Sequence, residues 1–228
     1  MSEWFQSLFE TVSVAQYGTA IWTTLWITVT STAFAYLIGI PLGVILYGTS
    51  ATGLFPHKTV NAVVGFIVNI LRSVPFIILL ILTQPIATLI VGKKIGNEAF
   101  IVYLVIAAAP FVARMIESSL LEVDHGVLEA AQSMGSSNMQ IICKVLIPEA
   151  KPSLLTGAAI ALTTILGYTP MTYLIAGGGL GQLSIQYGLY RFQPKVMYLS
   201  SILLVVLVQI FQEVLTRASK ASDRRLRK

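Results

Sequence analysis

Two groups of residues in this chain have the types and spacing to do chemistry. The first is a polar run, EAAQSMGSSNMQIICKVLIP from Glu129 to Pro148, in a chain that is otherwise one apolar stretch after another. The second sits inside apolar stretches: Arg72 and Pro75 in NILRSVPFIILL, and Tyr168, Met171 and Thr172 in LGYTPMTYLIAGGGLG. Neither group makes a catalytic centre. There is no Ser/His/Asp set, no pair of carboxylates within an apolar stretch, and no Cys or His cluster with metal-ligand spacing. The lone Cys143 cannot close an internal disulfide, and His57 and His125 fall in expected loops, where a solvated histidine is ordinary. IVGKKIG lacks the Ser or Thr and the glycine spacing of a phosphate loop, so this chain is not expected to hydrolyse ATP. No cofactor is expected.

The elements that position these residues follow from composition. Of 228 residues, 55% are hydrophobic and 11% charged, with a mean hydropathy of +0.79. Soluble domains carry roughly a quarter charged residues, so this chain is expected to be an all-α membrane protein. A crossing needs about 20 apolar residues. Five stretches qualify: Ile21 to Tyr47, bent by Gly39, Pro41 and Gly43; Val60 to Leu82, interrupted by Arg72 and Pro75; Ala99 to Ile116, kinked at Pro110; Ser153 to Ile175; and Val196 to Thr216. IATLIVG, after Pro85, reads as a short outer segment.

Residues 1–17 lack the basic start of a cleavable signal, and Trp4, Phe5, Leu8, Phe9 and Val12 recur at helical spacing, so an interfacial segment is expected there. Residues 18–216 form the single transmembrane domain and 217–228 a basic tail that touches anionic lipid rather than nucleic acid. Ten Lys and Arg flank the spans on the side of the C-terminus against four on the other (Lys93, Lys94, Arg191 and Lys195). That asymmetry places the N-terminus outside and the C-terminus in the cytoplasm.

This orientation leaves residues 122–151 as a cytoplasmic loop. Val127, Ala131 and Met134 form a helical stripe, with Asp124 as N-cap and Gly135 as stop. Ser137 with Gln140 is a capping-box pattern that starts a second helix, showing Met139, Ile142, Val145 and Leu146 to one side and ending at Pro148. Two short amphipathic helices joined at a glycine can neither span nor form a core alone. They read as a docking lever.

Glu129-Ala130-Ala131, three residues, Gly135, nine residues, Val145, one residue and Ile147-Pro148 resemble the EAA signature of ABC importer permeases, with Val145 and Ile147 where Ile and Leu are usual. The resemblance implies that this loop enters a cleft on an ATPase subunit, with Glu129, Ala130, Ala131, Gly135, Ser136, Met139, Val145 and Pro148 coupling the two proteins. NILRSVPFIILL, AAAPFVARMIESSLLEV, MQIICKVLIPEA and AGGGLGQLSIQYG extend it to the methionine-type importer permeases. That family implies a type I ABC importer permease fold in the prokaryotic plasma membrane, a homodimer with two ATPases, and an external substrate-binding protein. It also implies a path along the dimer axis with an apolar gate near Met171, flanked by Tyr168 and Thr172. The chain departs from the family after Met171, where Thr172, Tyr173 and Leu174 replace small residues. Arg72 has two readings: a functional residue near the path with Pro75, or a structural arginine on carbonyls freed by Pro75. The glycine-rich outer loop reads either as a docking surface for the binding protein or as a flexible rim. Other substrates would be a small amino acid or a methionine-bearing dipeptide. An ion channel lacks its filter here, and a membrane-embedded enzyme lacks its acid, base and nucleophile.

Overall fold

The computed structural model describes residues 11–223. The residues Trp4 to Phe9 of the expected interfacial stripe, and the tail beyond Asp223, lie outside them. The described chain is helical, with no strand. Its elements are α1 (Val14–Thr49), α2 (Lys58–Ser73), α3 (Phe76–Leu82), α4 (Gln84–Val91), α5 (Asn97–Leu121) and α6 (His125–Ser133). They continue with α7 (Asn138–Ile141), α8 (Lys151–Tyr168), α9 (Leu180–Leu183) and α10 (Pro194–Ser222). Among the described residues, α1, α5, α8 with its 3₁₀ extension Thr169–Ile175, and α10 are long and apolar enough to cross a membrane. The broken pair α2 and α3, counted as one span, makes five.

The boundaries differ from those expected. α1 has 36 residues, about 54 Å of helix, and runs uninterrupted past Pro41, because no charge or turn residue stops it before the loop after Thr49. α10 continues through the start of the basic tail to Ser222. The second apolar stretch is broken at Val74, which is extended (φ −79°, ψ 125°) as a residue before proline prefers. α4, at 8 residues, is too short to cross.

The chain divides into two compact units. In the first (residues up to 33, 76–106 and 162–211), Tyr17 and Ala20 of α1 pack with Leu180, Leu183 and Val196. The glycine-rich loop is built into this unit. Thr24 Oγ1 accepts from Leu180 N at 2.9 Å, Asn97 Oδ1 accepts from Gly178 N at 2.7 Å, and Ile175 O accepts from Gly96 N at 2.8 Å. Gly179 has φ +111°, and a Cβ there would stand 2.8 Å from Thr24 Oγ1. These glycines allow close packing, so the flexible-rim reading is corrected: hydrogen bonds and contacts hold the loop.

In the second unit (residues 34–75, 107–161 and from 212), Gly39 and Gly43 lie one turn apart on the face of α1 that meets α5. A Cβ at Gly39 would approach Val112 Cγ1 to 2.6 Å, and one at Gly43 would approach Ala113 O to 2.7 Å. This is the small-xxx-small device by which membrane helices pack when lipid supplies no hydrophobic drive. Leu46, Val68 and Ala113 continue the seam, and Asn61 Nδ2 donates to Leu46 O at 2.7 Å.

Candidate functional site

The loop after α5 forms the two short helices its sequence requires. Asp124 caps α6, its side chain accepting from Gly126 N at 2.7 Å. At the other end Gly135 adopts φ +78°, Gly135 N donates to Gln132 O at 2.9 Å and Ser136 N donates to Ala131 O at 3.2 Å. That bond pair is a Schellman motif, which ends a helix on a left-handed residue. The last alanine of the Glu129-Ala130-Ala131 run thus helps to close the corner through its carbonyl. Ser137 and Gln140 form the full capping box that opens α7.

The second helix does not end at Pro148. α7 passes into a π-helical turn, Ile142–Leu146, and a last turn, Ile147–Glu149, that contains Pro148. A proline cannot donate to the carbonyl one turn back and its ring crowds it, so the chain widens just before it. Ile147 N donates to Ile142 O, five residues back.

The faces also differ from a single stripe. Leu128, Ala131, Ile141, Ile142 and Leu146 are buried, while Met134 and Met139 are 79% and 69% exposed. Glu129, Ala130, Gly135, Pro148 and Cys143 are exposed too, and Ser136 and Val145 half-buried. The lever therefore has an inward face fixed to its own unit and an outward face carrying two methionines. Flexible and polarizable, methionine suits a contact surface. Cys143 Sγ lies 3.9 Å from Met139 Sδ on that outer face.

Tyr168, Met171 and Thr172 belong to the first unit. α8 tightens into the 3₁₀ segment Thr169–Ile175 at Pro170, which puts half-buried Met171 one residue before buried Thr172. Thr172 O accepts from Gly177 N at 2.9 Å, which ties this segment to the glycine loop. Tyr168 stacks on Phe76, with ring centroids 4.6 Å apart, and Phe76 meets Phe100 edge-on at 5.8 Å. Arg72 and Pro75, in the second unit, are exposed. Among the described residues Arg72 makes no hydrogen bond or ion pair, so the structural reading of Arg72 is corrected: no carbonyl freed by Pro75 holds it. Arg114 is the anchored arginine. Its Nη1 pairs with Glu117 Oε2 at 2.7 Å, and its Nη2 donates to Asn69 Oδ1 at 3.0 Å and Gly65 O at 3.3 Å. Glu117 lies three residues on along α5, whereas Asn69 and Gly65 lie far off in sequence.

Residues 39–228 match the binding-protein-dependent transport system inner membrane component family. The chain belongs to that family. It is 48% identical over 196 residues, 86% of this chain and 87% of the relative, to a probable D-methionine transport system permease protein of Vibrio cholerae. It is 39% identical to the corresponding Haemophilus influenzae protein, over 91% of this chain and 98% of that one. Its fold matches that of a chain in an inward-facing crystal structure of the MetNI methionine ABC transporter, with a TM-score of 0.90 and 43% identity over 92% of this chain and 98% of that one. The fold is thus the type I ABC importer permease fold, in a multi-pass protein of the inner membrane.

Proposed function

We infer that this chain is the membrane-spanning subunit of an ATP-driven importer, and that methionine is the solute it moves into the cytoplasm. Likeness to methionine-transport permeases over most of the chain carries that reading. It acts as a homodimer, with two ATPase subunits on the coupling loops and an external binding protein delivering substrate. The N-terminus lies outside and the C-terminus in the cytoplasm, as the Lys and Arg asymmetry favours. Residues 18–216 form the permease domain, between an interfacial N-terminal segment and a basic tail against anionic lipid.

Closure of the ATPases pulls on the outward face of Met134 and Met139, with Glu129, Ala130, Ala131, Gly135, Ser136, Val145 and Pro148 holding the lever's shape. The gate lies at Met171, Tyr168 and Thr172, which the 3₁₀ turn and the stack on Phe76 hold in place. Arg72 and Pro75 contribute to the path. The test is uptake of labelled methionine into liposomes that contain this chain, its ATPase and its binding protein, with each omitted in turn. Uptake that needs all three upholds the reading. ATP hydrolysis without methionine uptake refutes the substrate, leaving another small amino acid or a methionine-bearing dipeptide. Uptake without an ATPase refutes the class.

A further inference from the structure

The second unit contains a groove of about 340 Å³ on which three helices converge. Arg72 enters it from the last turn of α2, about 21 Å of helix from Lys58. Phe111, Met115 and Ser118, spaced four and three residues apart, present one face of α5, Glu122 follows in the turn just past its end, and Ile160 of α8 closes the other side. Gly157 keeps that wall near Met115, whose Cε would lie 3.3 Å from an added Cβ. Arg114 also lines the groove, but its charge is committed to Glu117 at 2.7 Å. Arg72 and Glu122 are the groove's remaining charges, and neither makes a hydrogen bond or ion pair among the described residues. An arginine left unpaired within an apolar segment is costly and marks a functional site by default.

We propose that this groove is a transient site for a free α-amino acid in transit. Arg72 takes the α-carboxylate, for which the guanidinium fork is suited. Glu122 draws the α-ammonium, and Phe111, Met115 and Ile160 receive an apolar side chain, a thioether among the best fits beside an aromatic ring. The volume lies in the range of small-molecule sites. A second cavity of about 690 Å³ shares Ser119, Glu122, Ser153 and Thr156 with the groove and reaches Pro148 to Lys151 at the foot of the coupling loop. Glu122 thus stands on both, so a solute leaving Arg72 passes into a polar chamber whose wall the coupling loop carries. The assignment of methionine to this groove rests on the importer reading above.

The experiment uses the assembled transporter in liposomes, with Ser118→Cys as reporter in a Cys143→Ser background. Labelling of residue 118 by a small cationic thiol reagent is followed with and without methionine, and uptake and ATP hydrolysis are measured alongside. Methionine is expected to slow labelling several-fold. Arg72→Gln is expected to abolish that protection and lower uptake by about tenfold while binding-protein-stimulated ATP hydrolysis persists, and Arg72→Lys to restore part of both. Methionine methyl ester, which lacks the carboxylate, is expected to protect poorly. Protection that survives Arg72→Gln, or equal protection by the ester, overturns the proposal. So does protection that follows phosphatidylethanolamine content instead of methionine, which assigns the groove to lipid. Protection without uptake in the parent protein refutes methionine as the imported solute and leaves the groove standing; uptake without protection does the reverse.

Discussion

Gly135 holds the corner of the coupling loop, and its replacement has a cost that can be worked out from the geometry. Its φ is +78° and nothing lies within 4 Å of where a Cβ would be. Gly135→Ala therefore meets no clash, and only the left-handed backbone penalises it, by about 1–2 kcal/mol for an L-residue. The Schellman bonds from Gly135 N to Gln132 O and Ser136 N to Ala131 O are retained, so no further term is added. Gly135→Asn costs less, since asparagine tolerates this conformation. Gly135→Pro fixes φ near −65° and removes the N–H that bonds Gln132, so the corner cannot close. Hydrogen exchange of the peptide covering residues 125–149 reads this directly. A loss of 1–2 kcal/mol raises the open fraction of the corner by about 5- to 30-fold, and the order of exchange rates is Gly, Asn, Ala, Pro. Equal exchange in the glycine and alanine proteins, or faster exchange with asparagine than with alanine, would refute the account of the corner.

Gly39→Val and Gly43→Val force α1 and α5 apart at contacts of 2.6 and 2.7 Å and are expected to destabilise by about 1–3 kcal/mol, whereas Gly18→Ala, with open space around it, is silent; thermal inactivation in detergent followed by gel filtration separates them. Ser137→Ala removes the capping box of α7 and is expected to cost about 1 kcal/mol, read as faster exchange at the start of that helix, with Ser137→Asp restoring protection. Arg114→Ala leaves Glu117, whose side chain is only 15% accessible, without its ion-pair partner, with an expected loss of about 1.5–3 kcal/mol, and Arg114→Ala with Glu117→Ala recovers part of it in the same inactivation assay.

What could be read in advance was what local spacing encodes. Asp124, Gly135, Ser137 and Gln140 act within three or four residues of themselves, and the caps and corner formed as their types require. The long uncharged stretches fixed the helices for the same reason. Distant contacts left no such trace. Gly39 and Gly43 read as a bend beside Pro41, yet they are contact points for Val112 and Ala113, more than 65 residues away. Asn97 gave no signal as the acceptor for Gly178, and a run of glycines looks the same whether it is loose or packed. Arg72 and Arg114 are alike in sequence, both arginines within apolar surroundings; only the fold shows that one is anchored by Glu117, Asn69 and Gly65 and the other is not. The π turn at Ile142–Leu146 is a response to Pro148 that a stripe-based reading, which assumes regular helical spacing, cannot anticipate.

Whether the loop between α5 and α8 drives transport is testable with the protein's own chemistry. Cys143 is the only cysteine in the chain, and it is exposed beside Met139 on the outward face of the lever. A bifunctional thiol reagent applied to the assembled transporter should join Cys143 to the ATPase and arrest methionine uptake, while a cysteine placed at Phe192 in a Cys143→Ser background should not reach the ATPase. Uptake that continues with Cys143 fully cross-linked, or a cross-link formed equally well from position 192, would contradict the account.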